Sequence, residues 1–517
     1  MTSLATTITA EGEIPTVGVG VFLQRVAAQA ATRGRTALTV GIIGAMPWGT
    51  AETWVEPDSM SDLIESFAPF GYAESLTDAL GLPWGGLKLW NVRGTTPGAG
   101  QVTLDDATTA DSLTIIAKYD GADGNRIKYA VTANASVATS RDVRIYVEAP
   151  DGTIVHDETY LAVQVSSGAV TDPGDPFVDM EAASGASAPA AAASGTLSGG
   201  SNGTIAAADY TAAITAALAS DSGIDILVCV GVDTSLITSL RAAIYAMAAD
   251  IHAAGKVCIL PTPAAESRST AITNIASYRH RALRACYPRV IRSFTYAHRG
   301  YSVASTATVD GAATLANIIQ KVGPTAAAFQ AAAANGAPGA TQSIIGLESG
   351  YSTITRANAD SLMAAGINPW WKSSAYGVYV PFCGVTTYLL SSVPVRDHEE
   401  RYYQYISSAI GRVAEAFIGN PLDVDLANRR LGSNTAALRA SIVAFLQEET
   451  AAGRMVAGIN ADGSSSPAFL FDSFGSATPT NLANGRWDIV VAYRQTPNAE
   501  LMVIRFNAGT SVNIQSQ

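Results

Sequence analysis

The segment from 225 to 260 constrains this chain's fold more than any other. Residues 225–232 read as a strand that is apolar without a break after Asp225, and 256–260 as a second strand, apolar after Lys256, that stops at Pro261. Between them Leu236, Leu240, Ile244, Met247 and Ile251 recur at helical spacing before Gly255. A stripe repeating every three or four residues marks a helix buried on one side, and a glycine just beyond it supplies the left-handed cap. Strands without polar alternation need cover on both faces, so the pattern predicts a β-α-β crossover in a parallel sheet flanked by helices. Residues 36–44 are a similar run, followed by helical patterns at 59–67 and 73–80 and a strand at 87–93. Residues 209–218 place Tyr210, Ile214 and Leu218 on one helical face. Together 26–96 and 196–345 read as one discontinuous α/β core.

Residues 97–195 change character. Short alternating runs at 113–117, 126–131, 143–148 and 160–165 are separated by Asp-Gly turns, which predicts an all-β insertion. A Ser/Ala/Gly-rich stretch, 181–201, closes it and reads as a flexible hinge or surface linker. Residues 346–507 are richer in aromatics and Arg and read as an α+β domain. In it Asn434 is placed to cap a helix reaching Thr450, with Leu438, Ile442, Phe445 and Leu446 on one face and Arg439, Glu448 and Glu449 on another. Strands are predicted at 487–493 and 500–506. The expected class is therefore a multidomain α/β and α+β chain, a parallel-sheet core interrupted by a β insertion and followed by a C-terminal α+β domain.

At 517 residues the chain is long enough for three or four cores, and 48% hydrophobic against 15% charged residues lets it bury them. A net charge of −12 argues against nucleic-acid binding, which needs clustered Lys and Arg. No apolar run reaches 18 residues, and residues 1–13 lack a basic start followed by an apolar stretch, so the expectation is synthesis in the cytoplasm without membrane insertion. Cys229, Cys258, Cys286 and Cys383 show neither CxxC nor Cys/His ligand spacing. They read as buried thiols, with crosslinks between subunits the alternative.

Motifs that carry chemistry are incomplete. Gly199, Ser201 and Gly203 match the G-x-S-x-G nucleophile elbow, but low-complexity sequence stands where a strand should precede it, so an α/β hydrolase using Ser201 is the secondary reading. Gly41, Gly44 and Gly49 follow a strand without dinucleotide-loop spacing and are read as close backbone packing. Gly255 and Lys256 are followed by Val257, which excludes a Walker A loop there. Asp233 and Glu266, beyond the carboxyl ends of two core strands, are a candidate acid/base pair, with capping and solvated roles as the alternative. His398, Glu399 and Glu400 lack the second His of H-E-x-x-H, and Asp120, Asp123 and Asn125 lack the rest of a calcium loop. No cofactor or metal is expected.

Six short motifs, in order along nearly the whole chain, resemble those of tail sheath proteins of contractile phages and related injection systems. They are IPTVGVGV at 14–21, DGADGNRI at 120–127, LSGGSNG at 197–203 leading to Asp209 and Tyr210, AGIN at 365–368 with VPFCGVTT at 380–387, the segment 400–421, and TPNAELM at 496–502. Val380 and Pro381 stand where the family has an aromatic, and Tyr402 and Tyr403 where it has two Arg.

The resemblance implies a non-enzymatic structural subunit that polymerises as stacked hexameric rings around a tail tube and contracts to drive the tube through a host envelope. It implies further contacts with baseplate and tail terminator proteins and a place in the virion tail, assembled in the host cytoplasm. Extended arms, here 1–25 and 508–517, would add strands to the C-terminal domain of neighbours, with Ile14, Val17, Val19, Val21, Leu501, Val503, Val512 and Ile514 as contact candidates. Arg439, Glu448 and Glu449 are candidates for contact with the tube. A surface-layer or adhesin protein is a third reading, and it would require an export signal.

Overall fold

The computed structural model describes residues 38–496 except 72–73, 167–168, 184–186, 192, 220–221, 325–342, 349–353, 373–377, 383, 418–422, 460–462, 475–477, 484–486 and 488. Two compact units divide between Tyr402 and Tyr403, inside the helix Asp397–Glu415.

The first unit is built on a six-stranded sheet. Its strands run in the order Leu283–Arg284, Val257–Ile259, Ile226–Val230, Val40–Gly44, Leu87–Asn91 and Trp54–Val55, all parallel except the last. Successive residues point to opposite faces, and both faces are buried: Ile42 and Val228 join one core, Ile43 and Cys229 the other. Helices Met60–Phe67 and Ala312–Val322 pack in the first core. Ala207–Ala217, Ile237–Ala246, Ala248–Ala253, Arg268–Ile275 and Arg356–Ala364 pack in the second. The predicted 234–254 helix is two helices, broken at Met247, whose N–H turns back to the carbonyl of Ile244. Its apolar stripe survives the break because Leu240, Ile244, Ala248 and Ile251 still face the sheet. Gly255 has the left-handed φ of +67° that the cap requires.

The insertion is a two-sheet sandwich. Ala99–Asp105, Asp111–Asp120 and Val178–Ala182 form one sheet. Ser194–Thr196, Ile127–Ala133, Ser140–Glu148, Ile154–Ser166 and Ala169–Val170 form the other. Period-two burial fills the space between them, with Leu113, Ile115 and Ala117 from one sheet and Ile127, Tyr129, Val131, Val143, Ile145 and Val147 from the other. The 181–201 stretch is not a free linker over its described residues. Gly195 pairs with Tyr129, and bridges join Ser198 to Gln101, Ser201 to Gly98 and Thr204 to Thr95. Small side chains there permit close backbone approach rather than flexibility: a Cβ on Gly200 would lie 2.5 Å from the carbonyl oxygen of Gly121.

The expected C-terminal domain start at 346 does not coincide with the boundary between units. Asn368–Lys372 pairs with Cys286–Tyr287, which ties 368–372 into the first unit. The described part of the second unit contains the helix Ser433–Ala451 and short antiparallel ribbons, Val424–Asp425 with Arg430–Leu431, Gly458–Ile459 with Ser465–Ser466, and Phe469–Asp472 with Val490–Tyr493. Asn434 is not its cap. The helix starts at Ser433, and Asp423 accepts from the N–H groups of Asn434 at 3.1 Å and Thr435 at 3.0 Å. These donors hold the Asp423 carboxyl below its ordinary range against the opposing effect of burial.

Candidate functional site

The readings that would make this chain an enzyme do not assemble. Ser201 lies in the bridged stretch rather than on a strand-to-helix turn. Its N–H donates to Gly98, and its Oγ accepts from the N–H of Gly203 at 3.0 Å. Asp233 is exposed and occupied with Ser235, whose N–H and hydroxyl donate to it at 2.8 and 2.7 Å. Glu266 is buried, 3.7 Å from Arg241 and accepting from Asn274 at 2.7 Å. A cleft of about 340 Å³ does lie beyond strands Ile226–Val230 and Val257–Ile259, lined among others by Asp78, Asp233, Thr262, Arg289 and Asp310, but Glu266 is not on its wall. Burial and the neighbouring Asp78 push the Asp310 carboxyl well above its usual range. Among the described residues no group of three His, Cys, Asp or Glu is placed to hold a metal.

Gly41 and Gly49 serve packing, as expected: a Cβ at Gly41 would meet Ile224 and Trp54 at 2.9 Å, and one at Gly49 the Ser66 carbonyl at 2.1 Å. Cys229, Cys258 and Cys286 are buried free thiols, whereas Cys383 lies outside the described residues. Burial pushes Cys258 and Cys286 up to about 12, so neither is a ready nucleophile.

Two of the recognised motifs meet in space. Asn125 of DGADGNRI donates from Nδ2 to the Gly200 carbonyl at 2.8 Å and accepts from the Gly200 N–H at 2.7 Å, so it clasps LSGGSNG. Gly100 fits beside them only without a side chain, since its Cβ would lie 2.6 Å from the Gly124 backbone. Asp123 in the same turn is buried, 3.6 Å from Arg126, and desolvation raises its pKa to about 6. The motif pair is a structural clasp that seats the insertion's last strand.

In the second unit, Arg439 and Glu448 are exposed on the Ser433–Ala451 helix, as expected. Glu449 does not share their face. It is 3% exposed, accepts from Arg454 at 2.7 Å and from the Tyr405 hydroxyl at 3.2 Å, and belongs with Leu438, Ile442, Phe445 and Leu446 by helical spacing.

The ribbon of Phe469–Asp472 and Val490–Tyr493 leaves apolar side chains exposed. Six of its eight residues are large and apolar or aromatic, yet none is buried, and Leu470 and Val490 are 60% and 46% exposed. Sequence reading found its second strand and missed the first. The arm candidates Ile14, Val17, Val19, Val21, Leu501, Val503, Val512 and Ile514 lie outside the described residues.

No sequence profile of a known family matches the chain, and no curated protein does. Solved structures do match. A sheath tail protein from Desulfitobacterium hafniense is 14% identical, with a TM-score of 0.54 over 84% of this chain and 90% of that one. A sheath tail protein from Listeria innocua is 14% identical, with a TM-score of 0.51 over 91% of this chain and 98% of that one. Over these spans the chain therefore has the fold of sheath tail proteins.

Proposed function

We propose that this chain is the sheath subunit of a contractile tail or of a contractile injection particle. In this reading it polymerises as stacked hexameric rings around a tail tube, meets baseplate and terminator proteins at the ends, and shortens to drive the tube through a host envelope. It assembles in the host cytoplasm and resides in the finished particle. The observation that carries the reading is the sheath fold itself, which extends over 84% and 91% of the chain in two separate matches rather than over one reusable module. The work is mechanical: energy resides in the difference between two packings of the same subunits.

The terminal segments 1–25 and 508–517 act as linking arms, adding strands to the second unit of neighbouring copies. The ribbon at 469–472 and 490–493 supports this assignment, because among the described residues it has only two strands, a two-stranded ribbon alone is marginal in water, and strand addition would satisfy its edge with backbone hydrogen bonds. Arg439 and Glu448 face the tube, and buried Glu449 supports the helix that presents them.

Electron microscopy of the purified full-length protein tests this reading. Rings or tubes are expected, and deletion of 1–25 should leave folded protein that no longer forms them. Persistent monomers at high concentration would overturn it.

A further inference from the structure

Three of the protein's five histidines, His252, His280 and His398, gather around the first turn of the helix Asp397–Glu415, within the first unit. Asp397 is 2% exposed and accepts from Arg284 Nε on the last core strand and, at 2.8 Å, from Arg401 Nε one turn along. Arg401 also donates to the carbonyl of Gly323, where the helix Ala312–Val322 ends. Glu400, also 2% exposed, receives His252 Nε2 at 2.7 Å from the helix Ala248–Ala253 and Arg281 at 3.4 Å. The His252 and His280 rings lie 5.7 Å apart. His398 is 3% exposed, and the charges of Arg401 and Arg396 act on it against that of Asp397.

The charge balance of this cluster is lopsided. Arg279, Arg281, Arg284, Arg396 and Arg401 surround it, while the buried carboxylates are Asp397 and Glu400 alone; Glu399 is exposed. Arg279 is already spent on carbonyls, Thr387 at 3.0 Å and Ala365. Nη2 of the fully buried Arg284 finds no acceptor among the described residues. A proton added to His398 or His280 therefore enters a site where five arginines meet two buried carboxylates, and both of those are already paired, Asp397 with Arg284 and Arg401 and Glu400 with His252 and Arg281.

We propose that this cluster is an acid-released latch: protonation of His398 and His280 frees the first turn of the helix Asp397–Glu415 from the core sheet while the rest of the unit stays folded. Burial, with Arg401 and Arg396, depresses His398 to about 4, and burial with His252 lowers His280. The sign follows. A histidine held neutral in the closed form and titrating near 6.5 when solvated binds its proton more tightly in the open form, so opening is favoured as pH falls below 6.5. For His398 alone, a pKa of about 4 closed against about 6.5 open multiplies the opening equilibrium about 20-fold between pH 7 and pH 5.

Hydrogen exchange on the purified full-length protein, corrected for intrinsic rates, reads this directly and does not depend on the sheath assignment. Amides of 400–402, the first that bond within the helix, should lose about 20-fold protection between pH 7 and pH 5 while those of 226–230 keep theirs. His398→Gln and, separately, His398→Met should flatten that dependence. Unchanged protection at 400–402 down to pH 5, or an equal loss in folded His398 variants, would overturn the proposal. If neither variant folds, the wild-type comparison of 400–402 with 226–230 decides alone.

Discussion

Asn125→Ala removes the clasp between the two recognised motifs, and its effect can be worked from the geometry. The side chain makes two hydrogen bonds to Gly200, at 2.8 and 2.7 Å, spanning 75 positions in sequence. Each contributes about 1 kcal/mol, and leaving the half-buried Gly200 N–H and C=O unpaired adds about 0.5–1 kcal/mol apiece, so the local loss should be about 3–4 kcal/mol. Because 1.4 kcal/mol is tenfold in an equilibrium, the amides of Leu197, Ser201 and Thr204, each bonded across this junction, should exchange roughly 100- to 700-fold faster. Ser201→Ala is the control. It removes only an exposed hydroxyl that accepts from Gly203, and should change stability by less than about 0.5 kcal/mol. An acceleration below about threefold in the Asn125 variant, or an equal effect from Ser201→Ala, would refute the view that these motifs serve structure.

Other outcomes follow from single sites. Asp423→Ala strips the N-terminal acceptor of the Ser433–Ala451 helix and should destabilise the second unit by about 1–2 kcal/mol in urea unfolding, whereas Asn434→Ala should cost far less. Asp123, with a folded pKa raised to about 6, stabilises the fold most below pH 3.8 and loses that contribution as pH rises through 6. Asp123→Asn should therefore raise stability at pH 8 by up to about 3 kcal/mol and change little at pH 4; a loss at pH 8 would mean that the 3.6 Å contact with Arg126 outweighs desolvation. Leu470→Lys with Val490→Lys places charges on residues already 60% and 46% exposed, so melting should hold while polymerisation, followed by light scattering, is lost.

What the sequence made legible was set by periodicity. The core strands and the 207–217 helix announced themselves because burial on two faces, or on one helical stripe, leaves a long repeating signal. The insertion was equally plain, since alternation at Tyr129, Val131, Val143 and Ile145 is what a sandwich requires. Features made by distant partners were not. Asp423 caps a helix that begins ten residues later and displaced Asn434 from the role, and Glu449 is buried against Arg454 and Tyr405 although its neighbours suggested a charged outer face. The Gly- and Ser-rich stretch before Asp209 read as a linker because composition cannot distinguish residues small for flexibility from residues small for backbone contact. Nor does spacing bring His252, Arg284 and Asp397 together; only the crossover topology does.

The proposed sheath role requires this chain to polymerise. Negative-stain electron microscopy of the purified full-length chain, beside the same chain lacking residues 1–25 and 508–517, measures it most directly. Six-fold rings or stacked tubes are expected from the intact chain and folded, unassembled particles from the truncated one. Monomers from both, or tubes that persist without the terminal segments, would contradict it.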